Sequence, residues 1–291
     1  MYDIKILYEA FTLKEAINLR AQHPEALILA GGSDILIKMR EGKLAGAELI
    51  SIYGVDELRG VSLDADGTLR ILPLTSFSHI TKHPLINKLI PVLGEAVDKV
   101  GGPQIRNIGT IGGNICNGVT SADSASTLFA WDAEAELTGE NGKRVLPISE
   151  FYLGAGRTDV RDTELLTAIL IRKQSYEGYF GHYIKYAMRN AMDIATLGCS
   201  VNVKLSGDKK TADDVRIAFG VAAPTPVRAK TTEELLKGKP IGSGEILKTA
   251  VLEDINPRTS WRAKKEFRQQ LAGELAKRAY EEAIKRAGGV F

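Results

Sequence analysis

Two apolar runs in this chain stop at a pair of glycines and pass straight into a helical pattern: "LILAGGSDILIKM" (27–39) and "GTIGGNICNG" (109–118). A glycine pair at such a junction allows a tight reversal with no side chain over it. Backbone N–H groups are then left pointing outward at a helix start, where the peptide dipoles add partial positive charge. That concavity suits an anion, typically a phosphate. A tight turn with no ligand explains one such corner just as well, and neither segment carries the Gly-x-Gly-x-x-Gly fingerprint. Two corners, each beside polar residues (Ser33 with Asp34, and Asn114), suggest a diphosphate held from both sides. Pattern alone goes no further.

Composition narrows what could sit there. The chain has 291 residues, with 38 basic against 36 acidic side chains and a net charge of +2. That balance, with no long basic run, argues against nucleic acid or an anionic membrane as partner. No apolar stretch approaches the ~20 residues of a membrane span. The start, "MYDIKILYEA", has no export signature, so a cytoplasmic setting is the default expectation. Cys116 and Cys199 are the only cysteines, and His23, His79, His83 and His182 are scattered. An iron–sulfur cluster takes four thiolates and a structural zinc takes several Cys or His, so neither is expected here. Any redox chemistry in this chain must use an organic cofactor.

The length fits two or three domains. Thr12 and Glu15 stand at capping-box spacing, which predicts a helix over 13–22. "ALILA" (26–30) reads as a short buried strand, Ser33 or Asp34 as the cap of a helix through "ILIKM", and "AELISI" (47–52) as another strand. Residues 60–74 read as a hairpin turning at Asp66-Gly67, with helical segments near 76–82 and 89–100. "DSASTLFAWDAEAEL" reads as a helix running into a strand, and Asn141-Gly142 as a turn tip. "YIKYAMRNAMDIATLGCS" (183–200) reads as an amphipathic strand edge. The tail over 260–287 reads as a long helix with Phe267, Leu271, Leu275, Ala279 and Ala283 at spacing four, stopping at Gly288-Gly289. Asp123 suits either a hydroxyl-binding carboxylate or a helix cap. Cys116 has no nearby His to activate it and reads as a small buried or half-buried thiol. Lys230 reads as a surface lysine.

Taken together, "AGGSDILIKMREGK", "GGPQIRNIGTIGGNICNGVTSADSAS", "KYAMRNAMDIATLGCSV", "FGVAAPTPVRAK" and the terminal "SWRAKKEFR" closely resemble the FAD-binding subunit of molybdenum hydroxylases. This is the medium subunit of bacterial xanthine dehydrogenases and, more distantly, of carbon monoxide dehydrogenase. The resemblance runs in order over nearly the whole chain. It implies an α+β architecture: a two-domain FAD-binding fold of the vanillyl-alcohol oxidase and cresol methylhydroxylase type (1–55 and 56–176), then a C-terminal α+β domain of the carbon monoxide dehydrogenase flavoprotein type (177–291).

The same resemblance assigns the site. The first corner, Ala30, Gly31, Gly32, Ser33 and Asp34, is expected to wrap the FAD pyrophosphate. Thr110, Gly112, Gly113 and Asn114 of the second are expected to meet it from the neighbouring domain. Leu29 and Ile35 flank the first corner, and Ile105 and Ile111 belong with the second. Asp123 matches an acidic residue that hydrogen-bonds the cofactor, while Thr75, Lys185 and Lys230 fall near it. A branched side chain at Gly32 is expected to fall where a phosphate oxygen lies. No His is placed for covalent attachment, so FAD is expected to be non-covalent.

The function implied is electron transfer. A large partner would carry molybdopterin and a small partner two [2Fe–2S] clusters, with electrons passing through FAD to NAD+ and the whole assembling as a dimer of heterotrimers. No side chain need act as acid or base, so none is named as catalytic. The competing readings are a related hydroxylase subunit with another substrate or acceptor, a self-contained flavin oxidase, and a non-enzymatic nucleotide-binding module.

Overall fold

The structure, a computed structural model, describes residues 2–290. Strands β1 (Ile4–Glu9), β2 (Leu27–Leu29) and β3 (Ala47–Ser51) form a parallel sheet in the order β1-β3-β2. Parallel strands need crossovers, and the helices Leu13–Gln22 and Ile35–Arg40 supply them. The first helix has the spacing's expected start: Glu15 N–H donates to Thr12 Oγ1 at 3.2 Å, and Thr12 N–H donates to Glu15 Oε2 at 3.1 Å. Two expectations change. The strand within "ALILA" is half-buried, because it is an edge strand. Asp34 stands at the cap position of the second helix but makes no capping bond; its carboxylate pairs with Lys38 at 2.6 Å instead.

A second sheet is antiparallel. It comprises β4 (Val61–Leu63), β5 (Leu69–Ile71), β6 (Glu134–Gly139), β7 (Gly142–Pro147) and β10 (Glu164–Ile171), after a small ribbon of β8 (Tyr152–Gly154) and β9 (Arg157–Thr158). Its order is β4-β5-β10-β6-β7. The turns are where the glycines require them, with Gly67 at φ 81° and Gly142 at φ 110°. Every residue of β10, "ELLTAILI", is buried, as a central strand covered on both faces must be. The helices Pro91–Val97 and Asp123–Ala130 share this sheet's apolar cluster, and the second, buried along its whole length with Trp131 behind it, lies against the C-terminal sheet.

The third sheet, β11 (Phe180–Tyr186), β12 (Leu197–Leu205), β13 (Ala212–Gly220) and β14 (Val227–Arg228), is an antiparallel meander. The helix Lys265–Arg286 lies against it, burying Leu271, Leu275, Ala279 and Ala283. It ends before Gly288, whose φ is 80°. Phe267 departs from the expected stripe: it is 41 % exposed and stacks edge-on to Tyr186 at 5.8 Å. The expected strand edge over 183–200 is interrupted, since β11 stops at Tyr186 and 187–196 is irregular and largely exposed. Among the described residues no helix is long and apolar enough to cross a membrane.

The long helix is seated through Gly273. A Cβ there would lie 2.4 Å from the Lys248 carbonyl oxygen, a main-chain atom of the neighbouring helix. Gly273→Ala should therefore destabilise by about 1–3 kcal/mol through overpacking, outweighing the ~1 kcal/mol that alanine gains in a helix interior. Urea unfolding measures the sum, and a stabilised variant would refute this packing.

Candidate functional site

The two glycine corners face each other. A Cβ on Gly31 would stand 1.9 Å from the Ile108 carbonyl oxygen and 3.3 Å from Gly109 Cα, so the first corner is pressed directly onto main chain of the second lobe. A Cβ on Gly113 would come within 3.9 Å of Ala30 Cβ. Between the corners lies a cavity of about 480 Å³, within the range of small-molecule sites. Its wall includes Ala30 to Ile35 from the first lobe and Ile105, Thr110, Gly112, Gly113 and Asn114 from the second.

The corners do different work. Among the described residues, the N–H groups of Gly31, Gly32, Ser33, Asp34 and Ile35 donate to no protein acceptor. They form a run of main-chain donors on the cavity wall, and Gly32 at φ 74° gives the turn its shape. The Asp34 carboxylate would repel an anion here, but Lys38 Nζ neutralises it. In the second corner the N–H groups of Ile111 to Asn114 are not available as outward donors. Ile111 N–H donates to Thr75 O, Gly112 N–H to Pro73 O, Asn114 N–H to Thr110 O and Gly113 N–H to Thr110 Oγ1. Gly112 is there for packing, since a Cβ would meet Pro73 at 2.4 Å. Gly32 also needs a new reason: a side chain there would meet Leu36 at 2.9 Å and a disfavoured φ, before any ligand is considered.

The remaining candidates lie outside the wall. Thr75 is buried, its hydroxyl accepting from Gly60 N–H at 2.9 Å and donating to Gly60 O at 3.0 Å. Ile111 is in the core, and Leu29 is the last residue of β2, just before the corner. Lys230 is exposed at the start of the helix Lys230–Leu236. Asp123 and Lys185 meet each other: Lys185 Nζ donates to Asp123 Oδ2 at 2.8 Å and to Lys99 O at 2.9 Å, and the Tyr183 hydroxyl donates to Asp123 Oδ1 at 2.7 Å. Ala122, not Asp123, is the cap of its helix. Burial pushes the Asp123 carboxyl up against the opposing pull of Lys185 and Tyr183, and pushes the Tyr183 phenol up with it.

Other wall residues escaped notice in the sequence. Lys38 reaches across from the first lobe to Asn117 Oδ1 at 3.0 Å; its position four residues after Asp34, on the same helix face, was the available signal. Arg20 lines the wall and donates to the Pro24 and Ala26 carbonyls, a role no spacing announces. Cys116, read as a buried or half-buried thiol, is exposed on the cavity wall. The protein packed around that recess pushes its thiol up to about 12, which makes it a poor nucleophile.

Comparison with known proteins decides the family. Residues 2–172 match the family described as the FAD binding domain in molybdopterin dehydrogenase, and residues 182–283 match the carbon monoxide dehydrogenase flavoprotein C-terminal domain. The chain is a member of the FAD-binding subunits of the molybdenum hydroxylase family. The xanthine dehydrogenase FAD-binding subunit of Escherichia coli O157:H7 is 40% identical over 291 residues, covering 99% of both chains. The carbon monoxide dehydrogenase medium chain of Hydrogenophaga pseudoflava is 30% identical and covers 92% of this chain and 93% of its own. A solved structure of that organism's carbon monoxide dehydrogenase, lacking the Mo-pyranopterin moiety, superposes with a TM-score of 0.92 at 30% identity, over 98% of this chain and 99% of the other. For a molybdenum hydroxylase FAD-binding subunit, the free donors of the first corner fit a diphosphate and the cavity beside them is lined mainly by apolar side chains.

Asp123→Asn tests the buried pair. Lys185 would keep its charge but lose its counter-ion, at a cost of about 3–5 kcal/mol, read by urea unfolding. The double variant Asp123→Asn with Lys185→Met should recover part of that loss. A single variant as stable as the parent would show that the pair contributes nothing.

Proposed function

We propose that this chain is the FAD-carrying, electron-transferring subunit of a xanthine dehydrogenase-like complex, with NAD+ as electron acceptor. The observation that carries this reading is the run of unpartnered N–H groups from Gly31 to Ile35, facing a cavity that the second corner closes. Those donors would hold the diphosphate, and the apolar wall beyond them, including Leu27, Ile28 and Leu165, would take the flatter parts of the dinucleotide. The chemistry supplied at the site is electron exchange between one-electron centres on a partner and the two-electron acceptor NAD+. This chain's own part is to bind, to orient and to exclude water.

Several features support partner chains. The relatives are named as a subunit and a medium chain. Two cysteines in the full sequence leave iron–sulfur ligation to another polypeptide. The reading therefore assigns molybdopterin to a large subunit and [2Fe–2S] clusters to a small one, with the heterotrimers pairing. Binding is non-covalent: no His stands on the cavity wall, and the one thiol there is held protonated.

Titrating the purified full chain with FAD should show one tight site, and acid precipitation should release all the flavin. Gly31→Ala should lose that site by forcing the lobes apart at Ile108, and Gly32→Val by breaking the turn. Full flavin retention in either variant would refute the assignment of the cavity. Adding NADH to the loaded chain should bleach the flavin band. Tight FAD with no bleaching would overturn NAD+ as the acceptor and leave the cofactor assignment standing.

A further inference from the structure

With the N–H groups of Ile111 to Asn114 all taken, the side-chain amide of Asn114 is what that stretch can still turn toward a ligand. Asn114 lies on the cavity wall. Its Oδ1 accepts a hydrogen bond of 2.6 Å from the hydroxyl of Ser124, in the first turn of the helix Asp123–Ala130. Ser124 is fully buried, and among the described residues its hydroxyl has no other acceptor. Among the described residues the Asn114 NH2 group donates to no protein acceptor.

A carboxamide has nearly the same shape when its oxygen and nitrogen exchange places, so packing alone does not choose between them. The choice has an electrostatic consequence, because one orientation offers the cavity two N–H donors and the other a carbonyl oxygen. Ser124 decides it. Were the amide reversed, Nδ2 would donate to Ser124 Oγ, and the hydroxyl proton would be left buried without an acceptor. The Ser124 helix is itself fixed at its first residue, where Asp123 is gripped by Tyr183 and Lys185 of the C-terminal sheet.

We propose that Ser124 is a positioning residue, whose buried hydroxyl locks Asn114 with its amide N–H groups toward the cavity, opposite the main-chain donors of the first corner. This rests on the reading of the cavity as the FAD site. The second corner then contributes two side-chain donors to the diphosphate in place of main-chain ones.

A double-mutant cycle on the full chain tests it, with FAD affinity followed by flavin fluorescence and folding by thermal melting. Ser124→Ala should weaken FAD about ten- to a hundred-fold, the scale of one hydrogen bond to a charged group, while melting like the parent without FAD. Asn114→Ala should weaken FAD by a similar factor, and adding Ser124→Ala to it should change nothing more. Asn114→Asp keeps an acceptor for Ser124 but turns a carboxylate oxygen into the cavity, so it should bind FAD more weakly than Asn114→Ala. Parent-like affinity in Ser124→Ala, or an undiminished Ser124→Ala effect in the Asn114→Ala background, would overturn the positioning role while the cofactor reading stands. A parent chain that binds no FAD would overturn both.

Discussion

The contact between Gly31 and the Ile108 carbonyl governs the rest of the site. It leaves no room for a side-chain atom at that point, so it sets how closely the two corners approach. Steric exclusion, which acts at tenths of an ångström, here sets the width of a cleft much larger than itself. The apolar cluster of the first lobe carries the same constraint across the junction, since it takes in Leu74 and Leu165 from the second. The two lobes are thus joined by main-chain contact at the corners and by a shared core behind them.

The C-terminal sheet holds the other side of the second corner. Thr120 O and Oγ1 accept from Val221 N–H at 3.1 Å, and Asp123 is held by Tyr183 and Lys185. Arg228 reaches Phe129 O at the far end of the same helix. Val221 adopts φ 65° to make its contact, a conformation that β-branched residues rarely take. The loop and helix over 117–130 are therefore gripped at several points by a sheet that contributes nothing to the cavity wall. The C-terminal sheet restrains the second corner through that backbone.

How far the sequence announces this depends on how local the physics is. The helix Leu13–Gln22 is legible because Thr12 and Glu15 satisfy each other within one turn. The hairpin at Asp66-Gly67 is legible because its backbone demands glycine. The corners are visible as glycine pairs, yet their separate duties are not. Nothing near Gly112 in the chain tells that its N–H belongs to Pro73, and nothing near Gly31 names Ile108. Asp123 shows the same limit, because its partners sit on a strand far along the chain. Phe267 failed as a core residue for a related reason: helical spacing gives a stripe but not where the opposing sheet ends. Family resemblance pairs the two corners, which line one cavity, because it encodes the outcome of such distant contacts without resolving them.

Cys116 carries one further consequence. Its sulfur lies on the wall of the cavity proposed for FAD, and thiolates are good nucleophiles toward oxidised partners. The walls that shape the recess also push the thiol's pKa up, which disfavours the thiolate and so slows thiol–disulfide exchange at that wall.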